Sequence, residues 1–207
     1  MIKNIVFDIG NVLVEFGWGP FFSKFQLTRE EYDRIAKATV YSPAWNEIDR
    51  GVLSEEEVLD LFIANDPEME ERFREMYSDF NGLLRQYDYT KDWIKDLQSR
   101  GFKVYCLSNM SFKSVRENAD ALDFIPMLDG AILSCYYKLI KPQPEIYELL
   151  FSKYDLNPCE CIFFDDLPRN ILAAQKMGMQ GVVFESKEQA ERELASIISQ
   201  ENQKCQP

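Results

Sequence analysis

Three short stretches of the chain place polar side chains directly after runs of apolar residues, and a fourth supplies a lysine ahead of a predicted helix. They are Asp8, Ser108-Asn109, Asp165-Asp166 and Lys141-Pro142. A carboxylate can act as a nucleophile, a hydroxyl can donate a hydrogen bond and a lysine carries a positive charge. Carboxylates that lie close together raise one another's pKa unless a cation intervenes, and such oxygen ligands suit Mg²⁺. The set therefore predicts a site that holds and attacks a phosphoryl group.

The residue types that are missing narrow the chemistry further. The chain contains no histidine, which excludes Ser-His-Asp and Cys-His triads and His-ligated zinc. Acid–base work must then fall to carboxylates, lysine, tyrosine or water. The five cysteines form no paired framework, and Cys159-x-Cys161 lacks the spacing of a zinc or redox motif. We expect reduced thiols.

Each polar stretch also has an ordinary structural explanation. Ser108-Asn109 and Asp165-Asp166 could cap the helices that follow them, and Lys141 could be a solvated loop lysine. Asp8, two residues before Gly10, could simply be a turn-forming residue at the end of a strand. Their shared position at predicted strand ends favours the chemical interpretation, because parallel strands bring their carboxyl ends to one edge of a sheet.

Alternating strand and helix patterns separate these stretches and would position them. Ile5-Val6-Phe7 is apolar throughout, as in a strand buried on both faces. Further strands are predicted over 103–107, 131–133, 161–164 and 181–184, and helices over 90–100, 111–120, 168–177, from 144 and from 186. This alternation predicts an α/β fold, a Rossmann-like parallel sheet with helices on both faces.

Residues 15–85 have a different pattern. Capping boxes begin at Thr28 and Ser54, and Asp66-Pro67 is a further helix start. This stretch predicts three or four helices and no strand. We therefore expect a helical-bundle cap over 15–85, inserted into a catalytic core formed by 1–14 and 86–207.

Composition indicates the class of partner. The net charge of −12 disfavours nucleic acid and anionic membranes, so an anionic substrate would need a local cation. Met1-Ile2-Lys3 leads into a run of only three apolar residues before Asp8, too few for the core of a signal peptide, and no apolar run approaches the roughly 18 residues of a membrane span. We expect a cytoplasmic monomer or homodimer that acts on a small phosphorylated molecule.

Taken in order, the polar stretches resemble the four motifs of the haloacid dehalogenase-like hydrolase superfamily. The matching segments are Asp8-Ile-Gly-Asn-Val, Leu107-Ser108-Asn109, Lys141-Pro142-x-Pro144-x-Ile146-Tyr147 and Phe164-Asp165-Asp166-x-x-x-Asn170. The predicted cap occupies the place of that superfamily's small helical (C1-type) cap. The opening Phe-Asp-x-Gly-Asn-Val-Leu is similar to a branch of sugar-phosphate phosphatases that includes α-glucose-1-phosphate phosphatase.

The resemblance implies a Mg²⁺-dependent phosphomonoester hydrolase, with a sugar phosphate as the favoured substrate. Asp8 would be the nucleophile and would form an aspartyl-phosphate. The Asp8 carboxylate, the main-chain carbonyl of Gly10 and Asp166 would hold Mg²⁺. Asp165 would act on the metal through water.

The resemblance also implies which residues hold the substrate. Ser108, the Asn109 backbone and Lys141 would bind the phosphate oxygens. Asn170 would support the acidic pair. In the cap, Arg50 could pair with a substrate anion, and aromatic side chains could shape the pocket or pack within the cap. These aromatic residues are Trp18, Phe21, Phe22 and Trp45.

One departure from the family pattern concerns proton transfer. Most phosphatases of the family carry a second Asp two residues after the nucleophile, as general acid and then general base, where this chain has Gly10. Such assistance contributes roughly 10²–10⁴-fold. A good leaving group would lessen the loss, or a cap carboxylate could substitute. Glu47 and Asp49 are our candidates.

Two other functions remain open. A 2-haloacid dehalogenase also uses Asp, Ser and Lys without the second Asp, but such enzymes need no metal and carry Ser in place of the pair Asp165-Asp166. A catalytically silent binding protein would explain Gly10, whereas the retained Asp8, Ser108 and Lys141 count against it. A sugar phosphomutase is less favoured because it depends on the missing Asp.

Overall fold

In the computed structural model, residues 1–204 are described, with side chains described through residue 200. Five strands form one parallel sheet in the order β5-β4-β1-β6-β7, and β2 and β3 form a separate antiparallel pair. The strands are β1 (Asn4–Phe7), β2 (Val14–Phe16), β3 (Leu84–Gln86), β4 (Lys103–Ser108), β5 (Gly130–Leu133), β6 (Cys161–Asp165) and β7 (Gln180–Val183).

The α-helices divide into an inserted group and a group that covers the sheet. The inserted helices are α1 (Trp18–Ser23), α2 (Arg29–Ala38), α3 (Ala44–Arg50), α4 (Glu55–Asn65) and α5 (Glu70–Ser78). The others are α6 (Thr90–Ser99), α7 (Phe112–Glu117), α8 (Ser134–Tyr137), α9 (Pro144–Tyr154), α10 (Pro168–Lys176) and α11 (Lys187–Lys204). Short 3₁₀ turns connect several of them.

The parallel sheet is buried on both faces. Phe7 of β1 packs against Trp93 of α6 on one face, whereas Val6 belongs to the core that contains Tyr147 of α9 on the other. Alternate residues of a strand point to opposite faces, which explains why the consecutive residues Ile5, Val6 and Phe7 of β1 are all apolar. The predicted α/β fold, a parallel sheet with helices on both faces, is confirmed.

The central strand and its two neighbours end at nearly the same level. Phe7 lies opposite Cys106 of β4 and Phe164 of β6, and the main-chain N–H of Asp8 donates to the Phe164 carbonyl at 2.8 Å. The residues that follow these strands therefore meet at one edge of the sheet.

The insertion between β2 and β3 is helical, with both capping boxes formed at Thr28 and Ser54. A 3₁₀ turn over Pro67–Met69 precedes α5. The prediction of no strand within 15–85 is wrong at both ends, because β2 and β3 extend into this range. Three-residue strands are too short to show alternation in the sequence. The division between core and cap stays a prediction.

The end of α3 is attached to the core. Gly51, which follows α3, has φ of 65°, and a Cβ added there would lie 3.0 Å from side-chain atoms of both Cys135 and Phe112. The Ser134 hydroxyl donates to the main-chain carbonyl of Asp49 at 2.6 Å, and the Lys138 ammonium donates to the Gly51 carbonyl. These contacts hold the last turn of α3 against α8.

Two smaller predictions can also be compared with the structure. Within the described residues, no helix has the length and apolar character needed to cross a membrane. The described cysteines are free thiols, and Cys205 lies outside the described residues.

Candidate active site

Asp8 lies at the carboxyl end of the central strand and is buried. Its Oδ1 accepts hydrogen bonds from the Ser108 hydroxyl at 2.6 Å and from the main-chain N–H of Ile9 at 2.7 Å. Ser108 ends the neighbouring strand β4, so the parallel register brings together two residues separated by 100 positions in the sequence. The Asp8 carboxylate is thereby held in one orientation.

Lys141 is 2% exposed and bridges two carboxylates. Its Nζ lies 2.9 Å from Asp8 Oδ1 and 2.6 Å from Asp165 Oδ2. Burial acts to lower the pKa of Lys141, but the charges of Asp165 and Asp8 outweigh burial and raise it above its usual value. The lysine is a buried, permanently positive group, and the alternative of a solvated loop lysine is wrong.

Asn109 positions the backbone of that lysine. Its side-chain Oδ1 accepts from the Lys141 N–H at 2.7 Å, and its Nδ2 donates to the Lys141 carbonyl at 3.0 Å. The sequence predicts a contact between the Asn109 backbone and phosphate, and this contact stays a prediction. The structure adds this two-bond attachment of β4 to the lysine loop.

The two adjacent aspartates have different surroundings. Asp165 is fully buried, and its carboxylate accepts from Lys141, from the Leu167 N–H at 2.8 Å and from the Asn170 amide at 2.9 and 3.0 Å. Asp166 is half-buried on the cavity wall, and its Oδ2 accepts from the Asn11 amide at 2.9 Å. Asp166 is the member of the pair that faces the cavity.

The carboxylates form a set of oxygen donors. Asp8, Asp165 and Asp166 each offer one oxygen, and these atoms lie within 4.8 Å of one another. Burial raises the pKa of Asp8 to about 6, with the Asp165 charge adding to the effect and Lys141 opposing it. Burial also raises the pKa of Asp166. A hard divalent cation would offset this crowding of negative charge, so the residues fit Mg²⁺.

A cavity of about 800 Å³ opens between this edge and the inserted helices. Its polar floor includes Asp8, Ser108 and Lys141. Its other walls are mainly apolar and aromatic, formed by Phe16, Trp18, Val40, Tyr41, Pro43, Trp45 and Leu84. A volume of this size suits a small organic molecule.

The predicted cap aromatics separate into two groups. Trp18 and Trp45 line the cavity, whereas Phe21 and Phe22 are 2% exposed and pack against other aromatic side chains of the inserted segment. Trp45 also contacts Phe16 edge-to-face at 6.0 Å between ring centroids.

Arg50, predicted to bind substrate, does not reach the cavity wall. Its Nε lies 3.3 Å from Glu47 Oε2, and its Nη1 donates to Gln143 Oε1 at 3.1 Å. Arg50 therefore uses its guanidinium to connect α3 to the loop before α9. Glu47, one of the two proposed proton donors, shares this pair and also lies off the wall, while Asp49 lies on it.

Several polar residues on the cavity wall were not predicted as site residues. They include Asn11, Asn46 and Arg169. Asn11 has φ of 56°, which places it in the turn after β1. Arg169 lies within the fourth motif, and Asn46 follows Trp45 directly in the sequence. Their closeness in sequence to predicted site residues is the one signal that could have identified them.

Comparison with protein-family models agrees with this geometry. Residues 2–178 match the model described as haloacid dehalogenase-like hydrolase. The chain belongs to this family. The family resemblance drawn from the motifs is therefore confirmed, and the protein is a hydrolase.

Characterised relatives of the chain include phosphatases. D-ribitol-5-phosphate phosphatase from Bacteroides thetaiotaomicron is 28% identical over 210 residues, which cover 96% of this chain and 100% of the relative. The chloroplast flavin mononucleotide hydrolase 1 from Arabidopsis thaliana is 26% identical over 159 residues, or 74% of this chain. The matched region spans only 61% of that longer relative.

A solved structure shares the fold. A haloacid dehalogenase-family enzyme from Bacteroides thetaiotaomicron, crystallised with magnesium and inorganic phosphate, superposes with a TM-score of 0.68 at 20% identity. The match covers 90% of this chain and 96% of that enzyme. This similarity extends through the inserted helices as well as the sheet.

Proposed function

We propose that this hydrolase is a Mg²⁺-dependent phosphomonoester hydrolase that works through an aspartyl-phosphate on Asp8. The observation that carries the proposal is the connected group of Asp8, Ser108 and Lys141 beside an intact acidic pair. A carboxylate nucleophile next to a hydroxyl and a buried ammonium can attack an anionic phosphorus centre and neutralise its oxygens.

The binding roles follow from the contacts of each residue. Ser108 and Lys141, both within hydrogen-bonding distance of Asp8 Oδ1, would hold the phosphate oxygens. Asp8, the Gly10 carbonyl and Asp166 would hold Mg²⁺, with Asp165 acting through water. The bound ion would supply positive charge that allows two anions, carboxylate and phosphate, to approach.

We infer that the organic part of the substrate is a sugar or a sugar alcohol. The apolar face of a sugar can stack on Trp18 and Trp45, and Asn46 and Arg169 supply hydrogen-bond donors for hydroxyl groups. The relative that acts on D-ribitol-5-phosphate supports this class.

A second substrate class is a phosphate ester of a flat aromatic group. The aromatic share of the cavity wall favours it, because a planar ring could pack against the wall that Trp18, Tyr41 and Trp45 form. The relative that hydrolyses flavin mononucleotide supports this class.

The dehalogenase alternative is less favoured. Such chemistry has no use for a cation, yet Asp8 here lies among two further carboxylates. A binding protein without catalytic activity is also less favoured. Such a protein has no need of a carboxylate nucleophile, whereas here Asp8 is held in place by Ser108 and Lys141.

Phosphate release by the purified protein tests the proposal. The panel contains p-nitrophenyl phosphate, glucose-1-phosphate, ribitol-5-phosphate and flavin mononucleotide, each with Mg²⁺ or with EDTA. We expect Mg²⁺-dependent release that Asp8→Asn abolishes and that the exposed control Asp60→Asn retains. No release from any member, together with chloride release from 2-chloropropionate in EDTA, would establish the dehalogenase instead.

A further inference from the structure

Asp49 presents a carboxyl group to the cavity from the cap. It lies in the last turn of α3, is half-buried and lines the same cavity as Asp8. Among the described residues, no hydrogen bond or ion pair is found for its carboxylate. Glu47, two residues earlier on the same helix, is paired with Arg50 instead. Of the two cap candidates, Asp49 alone is free to meet a substrate.

The position of Asp49 is set by its backbone. Its main-chain carbonyl accepts from the buried Ser134 hydroxyl at 2.6 Å. Gly51, two residues later, packs so closely on Cys135 that a Cβ would be 3.0 Å away. The helix turn that carries Asp49 is therefore anchored to the core that carries Asp8.

The surroundings of Asp49 keep its proton available near neutral pH. Burial, and to a lesser extent the charge of Asp8, raise the pKa of Asp49 to about 7 against the opposing effect of Lys141. The other titratable groups that face it are Cys135 of α8 and Tyr77 of α5, and the charge of Asp49 raises the pKa of each. A carboxyl group with a pKa near the working pH can both give and regain a proton.

We propose that Asp49 is the general acid and general base of this hydrolase, in place of a carboxylate at position 10. The inference rests on the proposed phosphatase function. As an Asp8 oxygen bonds to phosphorus and the ester P–O bond breaks, Asp49 gives its proton to the departing oxygen. Its carboxylate then takes a proton from the water that attacks the aspartyl-phosphate. Inorganic phosphate leaves, and Asp8 and protonated Asp49 are restored.

The first test compares leaving groups. A poor leaving group needs the proton and a good one does not, so kcat/KM of Asp49→Asn should fall by roughly 10²-fold for alkyl and sugar phosphates. For p-nitrophenyl phosphate the fall should be less than about threefold. The matched control Glu47→Gln should resemble wild type for all substrates. An equal fall for every substrate, or no fall, would overturn the proposal.

The second test concerns the water step, which is the same for every substrate. We expect Asp49→Asn to lower kcat for p-nitrophenyl phosphate and to accumulate phosphoenzyme in acid-quenched samples. We expect an ionisation near pH 7 in the wild-type profile of kcat against pH, and its absence in Asp49→Asn. A wild-type pH profile in Asp49→Asn would contradict the base role.

A rescue variant guards against loss of folding. A Cβ built at Gly10 would have its nearest contact at 3.9 Å, with Phe16 Cβ, so position 10 has room for a side chain. Gly10→Asp in the Asp49→Asn background should recover at least tenfold of the lost kcat/KM on sugar phosphates. Wild type without any Mg²⁺-dependent activity would refute the phosphatase function itself, whereas an active wild type with an unaffected Asp49→Asn would refute only the role of Asp49.

Discussion

The edge of the parallel sheet and the inserted helices form opposite sides of one cavity in different ways. At the sheet edge, Asp8, Ser108, Lys141 and Asp165 are joined by short hydrogen bonds and ion pairs. On the cap side, the wall consists mainly of aromatic and aliphatic side chains. The reacting groups therefore depend on one another for their positions and charges. The side chains of the cap wall, in contrast, can be substituted one at a time.

This comparison separates two kinds of variant. Changes at the sheet edge should lower the rate on every substrate, because the chemical step is shared. Changes to the aromatic and aliphatic side chains of the cap wall should alter the ranking of substrates and leave the chemical step intact, whereas changes at Asp49, the proposed general acid and base, should affect that step.

The largest expected effect is that of Lys141→Met. Removing the ammonium leaves Asp8 and Asp165 buried without their shared partner. We expect at least roughly 10³-fold loss of kcat/KM on every substrate and a loss of about 3 to 5 kcal/mol in the free energy of unfolding. Urea unfolding in EDTA measures the second quantity, with the exposed Lys37→Met as control. A variant with wild-type stability would contradict the account of the buried charges.

Gly51→Ala tests the contact between the end of α3 and α8, which joins the two regions. Alanine at φ of 65° is strained, and its Cβ would press on Cys135 and Phe112 at 3.0 Å. We expect a loss of about 2 to 3 kcal/mol in stability. Because Asp49 is two residues away, kcat/KM on sugar phosphates should fall as well.

The control for this variant is Gly101→Ala. Gly101 also has positive φ, 90°, but a Cβ there meets nothing within 4 Å. It should lose only about 1 kcal/mol, without loss of kcat/KM. Equal losses of stability and of kcat/KM for the two substitutions would show that the contact between α3 and α8 is unimportant for both.

Tyr41→Ala tests the cap wall with little effect on folding, since Tyr41 is 70% exposed. Loss of one aromatic wall should raise KM about tenfold for the preferred substrate, which corresponds to about 1.4 kcal/mol. For p-nitrophenyl phosphate, kcat should stay within about twofold. A uniform loss of kcat on all substrates would remove the distinction between the two regions.

The smallest effect is a pH dependence of stability in EDTA. The pKa of Asp49 is about 7 in the folded protein, above the roughly 3.9 of an unfolded chain. The stability linked to its proton is thus fully present below about pH 4 and is lost as pH rises through 7. Asp49→Asn removes that loss, so the variant should exceed wild type by about 1 to 2 kcal/mol at pH 8.

The gap between Asp49→Asn and wild type should narrow steadily as the pH is lowered towards 4. Thermal unfolding at several pH values measures it. A difference between Asp49→Asn and wild type that does not change with pH would argue against the raised pKa.

The sheet and its edge were predictable because parallel strands place their carboxyl ends at one edge of a sheet. Apolar runs that end in polar residues, alternating with helices, imply a common edge, and Asp8, Ser108 and Asp166 reach it without knowledge of side-chain packing. The five-residue spacing between Asp165 and Asn170 also places both at one helix start, where the amide contacts the carboxylate.

The cap side was less predictable because it depends on which way each helix is turned. Two residues of an α-helix correspond to a rotation of about 200°, so Glu47 and Asp49 point to nearly opposite sides of α3. Choosing between them requires knowledge of how α3 packs on α8. Trp18 lines the cavity while Phe22, one turn later, is buried. The Arg50 contact with Gln143 joins residues 93 positions apart, which no local pattern indicates.

Direct detection of the covalent intermediate tests the central claim. The protein is mixed with Mg²⁺ and a phosphomonoester that it hydrolyses, quenched in acid and digested for mass spectrometry. We predict that the peptide containing Asp8 gains the mass of one phosphoryl group and that Asp8→Asn shows none. The contradicting result has two parts. Wild type hydrolyses the ester, yet the peptide containing Asp8 carries no phosphoryl group in wild type or in Asp49→Asn. That result would contradict nucleophilic catalysis by Asp8.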